Sequence, residues 1–201
     1  MSVLLAQRQA HGHLPIVGVM GFRLGMTKAE AMHVAEQKGW TLEPDGRDIL
    51  RADFIKTRHF SGLSFRSVSL SFAPSGLARI FFGSPKEHYD KEKPLMRYPN
   101  AQFLQNLEEK YGLPTRLWYG YNASFDTNTR GYHHLCLMRV LGEESEYTSA
   151  LELTWQGDGR RIWVGYFKKR TSITSDKVFV GVFYEDDALW QQYHDAQVRD
   201  Y

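Results

Sequence analysis

His133 and His134 are neighbours in the stretch HHLCLMRVL. On a strand, successive side chains point to opposite faces, so this pair cannot grip one metal ion. A metal centre would have to recruit His59, His88 or His194, and nothing in the spacing brings these together. Glu143, Glu144 and Glu146 cluster after that stretch, and Asp186 and Asp187 precede the last predicted helix. Paired carboxylates serve acid–base catalysis when their surroundings split their pKa values. Adjacent acids in a loop are solvated instead, and an acidic pair at a helix start is what the helix dipole favours. No Gly-x-Ser-x-Gly elbow and no Gly-x-x-x-x-Gly-Lys loop occurs. The glycines of GDGRR open a strand rather than a helix, so they read as a turn and not as a phosphate cradle. Cys136, between apolar neighbours, reads as a small core residue rather than a nucleophile. The sequence therefore assigns no catalytic, cofactor-binding or metal-ligating residue. An enzyme would have to assemble a site from the scattered His133, His134, Glu152 and tyrosines, and a deep cleft holding several of them would be its sign.

Aromatic residues are the stronger signal: 12 Phe, 11 Tyr and 5 Trp in 201 residues. Arg160, Arg161, Lys168, Lys169 and Arg170 interleave with Trp163, Tyr166 and Phe167, a mixture that can hold single-stranded nucleic acid. Against nucleic acid, the whole chain carries 25 Lys+Arg against 23 Asp+Glu, a net charge of only +2. Basic residues at strand ends also guard sheet edges. Strand alternation puts Leu151, Leu153 and Trp155 on one face; Ile162, Val164 and Tyr166 oppose Trp163 and Phe167; Val178, Val180, Val182 and Tyr184 oppose Phe179 and Phe183. Both faces of the C-terminal sheet thus carry large apolar groups. A layer of helices covers one, and the other needs a larger core, a second copy of the chain, or a protein partner. Aromatics with a few arginines match the composition of interface hot spots. The expected contact residues are Trp155, Trp163, Tyr166, Phe167 and Tyr184, with Arg160 and Arg161 at the rim.

The elements that must position these residues follow from pattern. In TKAEAMHVAEQKGW, Thr27 and Glu30 form a capping box, Ala31, Val34 and Ala35 keep helical spacing, and Gly39 sits at C′. The PDG of residues 44–46 is a turn, after which the period falls to two. Residues 63–82 read as a hairpin about Pro74–Gly76. Residues 84–99 are charged, carry three prolines, and form a loop and the one boundary in the chain. NAQFLQNLEEKYG is a second helix with Phe103, Leu104 and Leu107 inward, stopped by Gly112 and Pro114. HHLCLMRVL is a strand, SALELTWQ and RRIWVGYFKKR make a hairpin about GDG, KVFVGVFY follows, and a short helix closes the chain. The pattern is α+β: a mainly antiparallel sheet with meander connections and two principal helices on one face, in a single domain over 1–201. Segments 20–85 and 99–201 share a plan of capped helix followed by meander, which suggests two sub-repeats.

The stretch GFRLGMTKAEAMHVAEQKG, through Leu24, Gly25, Met26, Thr27 and Glu30, resembles small bacterial envelope and inhibitor domains. It is similar to the small lipoprotein of the outer-membrane barrel-assembly machine and to the β-lactamase inhibitory protein fold. FLQNLEEKYGLPT, with Tyr111, Gly112 and Pro114, resembles the end of the second helix in such domains. The resemblance implies helices against one face of an antiparallel sheet, a protein partner on the other, and no catalysis or cofactor. The lipoproteins' N-terminal lipid-bearing cysteine has no counterpart, because the one cysteine is Cys136. No run approaches the ~20 apolar residues of a membrane span. Gln7, Arg8, Gln9, His11 and His13 interrupt any signal-peptide core. The expected location is the cytoplasm, or the periplasm if a signal has been removed. The functional expectation is a non-enzymatic protein-binding module, in its most concrete form an immunity or inhibitor protein.

Overall fold

The computed structural model describes residues 14–85, 87–88, 101–119, 123–125, 149–172 and 175–198. A two-stranded ribbon, β1 (Gly18–Val19) with β2 (Phe22–Arg23), leads into helix α1 (Lys28–Gln37). Then come β3 (Glu43–Pro44), β4 (Ile49–Phe60), β5 (Leu63–Ala73), β6 (Gly76–Gly83) and β7 (Glu87–His88). The second half runs α2 (Ala101–Tyr111), β8 (Arg116–Tyr119), β9 (Ala123–Phe125), β10 (Ser149–Gly157), β11 (Arg160–Ser172), β12 (Ser175–Asp186) and α3 (Asp187–Val198). This is the expected α+β fold with antiparallel pairing, in which the two principal helices are α1 and α2 and the expected closing helix is α3.

Local signals act as their chemistry dictates. Thr27 Oγ1 accepts from Glu30 N, and Glu30 Oε2 accepts from Thr27 N at 2.7 Å, so the capping box starts α1. Gly39, with φ +64, supplies the left-handed residue that ends it. At the β4–β5 turn, Ser61 and Gly62 both have positive φ (47° and 81°), the signature of a two-residue hairpin whose twist matches its strands. A Cβ on Gly62 would lie 2.8 Å from Phe103 N, so α2 packs its backbone directly on this turn. Asn106 Nδ2 donates to Ser61 O at 2.7 Å and fastens the contact.

The sheet runs β3-β4-β5-β6-β12-β11-β10-β8-β9, with β7 pairing the far end of β12. Each half builds its meander outward from the same place: β6 and β12, the last full strands of the two halves, meet at the centre. The seam pairs Gly83 with Gly181, Phe81 with Phe183 and Arg79 with Glu185. One face is the core. Val68, Leu70, Ile80, Phe82, Val164 and Val182 are buried there, together with Ala31 and Ala35 of α1 and Phe103, Leu104 and Leu107 of α2. The expected core residues of both helices are therefore on the expected face. HHLCLMRVL, with His133, His134 and Cys136, lies outside the described residues.

Candidate functional site

The second face is ordered in rows that cross the sheet, because antiparallel register places every second residue side by side. One row is charged: Ser71, Arg79, Glu185, Arg161 and Gln156 on β5, β6, β12, β11 and β10. The next is aromatic: Ser69, Phe81, Phe183, Trp163 and Thr154. A third is built of glycine: Ser67, Gly83, Gly181, Gly165 and Glu152.

In the aromatic row Trp163 and Phe183 stack face to face, 3.6 Å apart and 6° from parallel, and Phe81 joins at 4.6 Å and 38°. The rings lean along their strands over the glycine row. A Cβ on Gly181 would meet Phe183 Cε2 at 3.0 Å, and one on Gly83 would meet Phe81 Cζ at 3.2 Å. Glycine leaves the space the rings occupy, so the two rows are one construction. All three rings are half-buried.

The charged row lies under α3. Glu185 is 0% exposed and is clamped by Arg79 and by Arg161 Nε at 2.6 Å. Arg79 Cζ sits 3.3 Å from the centre of the Trp190 ring and 5.3 Å from that of Phe183, so one guanidinium is held between an α3 ring and the aromatic row. Burial pushes the Arg79 guanidinium down, and the carboxylate of Glu185 opposes that shift. Asp186 Oδ1 accepts from Leu189 N at 3.1 Å and so caps α3 as its place in the sequence suggests. Ser75 Oγ donates to Gln192 Oε1 at 2.8 Å. No residue of α3 is fully buried, and Leu189, Trp190, Tyr193, Ala196 and Gln197 are half-buried along one stripe.

Two of the expected contact residues are not on this face. Trp155 is 2% exposed and Tyr184 3% exposed, both within the helix-covered core. The register pairs Ile162 with both of them, so the three share the parity of the buried valines. Trp155 Nε1 donates to Gly112 O at 2.9 Å, which satisfies its one donor inside. Burial raises the Tyr184 hydroxyl far above the usual tyrosine range. Trp163 is on the second face as expected. Tyr166 and Phe167 pair with Val180 and Phe179 along the backbone, and their side chains lie outside the described ones. Arg160 and Arg161 are half-buried and already engaged: Arg160 Nε donates to Asp186 Oδ2 at 3.1 Å, and Arg161 holds Glu185 with Asp187 at 3.3 Å. They brace α3 rather than stand free at a rim. Phe81, Phe183 and Arg79 complete the face; parity along KVFVGVFY and LARIFF carries their side, but the pairing of β6 with β12 is what joins them.

Glu152, at the end of the glycine row, has its carboxyl raised by partial burial, an effect opposed by the charge of Arg116. His133 and His134 lie outside the described residues, and no cluster of metal-ligating side chains occurs among the described ones. No described helix is long and apolar enough to cross a membrane. Comparison with protein-family profiles, curated proteins and solved structures finds no match to this chain.

Proposed function

We propose that this chain is a non-catalytic protein-binding module that meets its partner on the second face of the sheet, in its most concrete form as an immunity or inhibitor protein. The observation that carries this reading is the row Phe81–Phe183–Trp163: a stack of half-buried rings on a sheet face opposite the helix-packed core. Rigid aromatics with two torsions each add contact area at little entropic cost, and they dominate the energetics of many interfaces. Ser67 and Ser69 on one side and Thr154 on the other give the row a small, polar border over which a partner can close.

The test covers the row without dismantling it. Ser69→Arg places a long charged side chain beside Phe81 on the same face. The tagged full-length protein expressed in its native host should retain one stoichiometric protein, and Ser69→Arg should lose it with an unchanged circular-dichroism melt. Equal recovery by both proteins, or recovery of nothing, rejects the reading.

A further inference from the structure

Strand β4 is not regular. Asp53 pairs with Ser67 and Arg58 with Phe65, so residues 54–57 of β4 stand opposite the single residue Arg66 of β5. Three extra residues are pushed out of the ladder, and such bulges re-aim side chains. Phe54 roots the segment: its ring lies 5.1 Å from Trp40 and 5.8 Å from Phe65, both in the core. Arg66 braces it, donating from Nε to Phe54 O at 3.1 Å and from Nη2 to Ile55 O at 2.9 Å. The Arg58 guanidinium lies 5.3 Å from the centre of the Phe54 ring. The residue presented by all this is Ile55, 93% exposed. A single exposed apolar residue is ordinary on a protein surface. What sets Ile55 apart is that a bulge, a device that re-aims side chains, presents it on a backbone fixed by Arg66. A β-branched side chain keeps few rotamers and so loses little freedom when it is captured.

The charges around the knob name its counterpart. Between residues 53 and 66 the chain carries Lys56, Arg58 and Arg66 against one carboxylate, Asp53. Asp53 is already held by Arg51 through two bonds of 2.8 and 3.0 Å. We infer that the β4 bulge is a second docking element, in which Ile55 enters an apolar socket rimmed by carboxylates on a partner protein. A lone isoleucine is too little apolar surface to hold a membrane. It also offers no ring on which a base can stack, which argues against nucleic acid. The inference stands apart from the aromatic face and does not depend on it.

The experiment places the photoreactive residue p-benzoylphenylalanine at position 55 of the full-length protein in its native host, with the same residue at exposed Lys110 on α2 as control. The expected result is one discrete protein adduct at position 55 and not at 110, with the cross-linked peptide rich in Asp and Glu. Binding of that purified protein should weaken about tenfold or more with Ile55→Asp. It should weaken further with rising salt and with Lys56→Glu/Arg58→Glu, while the thermal midpoint of the variants stays unchanged. An adduct to lipid or nucleic acid, an adduct indistinguishable from the control, or binding indifferent to Ile55→Asp overturns the inference. The adduct should persist in Ser69→Arg, which separates its failure from that of the aromatic face.

Discussion

Replacing Glu185 by alanine tests whether the clamp beneath α3 is a single unit. Glu185 is 0% exposed, and its carboxylate is the anion for both Arg79 and Arg161. The Arg79 side chain is only 23% exposed, so losing Glu185 strands a desolvated guanidinium between two rings. Breaking a buried pair from one side costs ~3–5 kcal/mol. The low end applies here, because Arg161 is 37% exposed and keeps Asp187 at 3.3 Å. A loss of ~3 kcal/mol lowers the melting temperature of a domain this size by about 6–12 °C. Replacing both partners, Arg79→Met with Glu185→Leu, removes the charge and its counter-charge together. It should return stability to within ~1 kcal/mol of the parent, because apolar isosteres often match a buried ion pair. Urea unfolding followed by circular dichroism supplies the four corners of the double-mutant cycle. A Glu185→Ala protein within ~1 kcal/mol of the parent, or a double variant no better than the worse single one, refutes the clamp as an energetic unit.

Three further outcomes follow from local geometry. Thr27→Ala should cost about 1 kcal/mol by opening the capping box, read from the urea midpoint. The hydrogen bonds from Thr27 hold the Glu30 carboxyl below its ordinary value of 4.5, so the contribution of Glu30 is complete above that pH and is lost as pH falls through the lower folded value. The gap between Thr27→Ala and the parent should therefore narrow in acid. Gly62→Ala should cost more than Gly159→Ala: both positions have positive φ, but only at Gly62 does the new Cβ run into Phe103 N and Gln102, while Gly159 has nothing within 4 Å. Burial raises the Glu152 carboxyl, so ionising it in the folded state is unfavourable. Glu152→Gln should gain stability relative to the parent as pH rises from 4.5 through the folded value, and a flat difference across that range rejects the burial argument.

The elements whose signals are local were legible in the sequence. Thr27, Glu30 and Gly39 bracket α1, the GDG turn joins β10 to β11, and Asp186 caps α3. Each of these depends on contacts within a few residues, which the chain spells out in order. Alternation places Leu153, Trp155, Ile162, Val164, Val180, Val182 and Tyr184 on one side and Trp163 and Phe183 on the other, as parity requires. On β5 it fails, because Leu63 and Phe65 join Val68, Leu70 and Phe72 in the core beside the β4 bulge rather than facing away from them. What parity could not supply was which face of each strand met the helices. Trp155 and Tyr184 are as aromatic as Trp163, yet they share their side with Ile162 and Val182, against which α1 and α2 pack. The pairing of β6 with β12 was likewise invisible, because no turn connects them and the partners Gly83 and Gly181 are distant in the chain. For the same reason the meeting of Phe81 with Phe183, and of Arg79 with Glu185, needed the fold. The bulge at Ile55 had a different cause. It arises from a mismatch between two strands, and no single-strand pattern records a mismatch.

The central seam also sets an order of events in folding. Hairpins β4–β5, β5–β6 and β10–β11 close over turns of two residues each, whereas the seam joins residue 83 to residue 181, 181 − 83 = 98 positions away. Short loops close quickly and at little entropic cost, and a loop of that span closes late. The two meanders are therefore expected to form first as separate three-stranded units, with the junction of β6 and β12 closing after them. Contacts made only at the end of the reaction govern how fast the native state comes apart, not how fast it assembles. The Arg79–Glu185 clamp spans that seam, and α3 closes over it. Its place in the molecule is that of a latch: weakening it should shorten the lifetime of the folded protein more than it changes the rate of refolding.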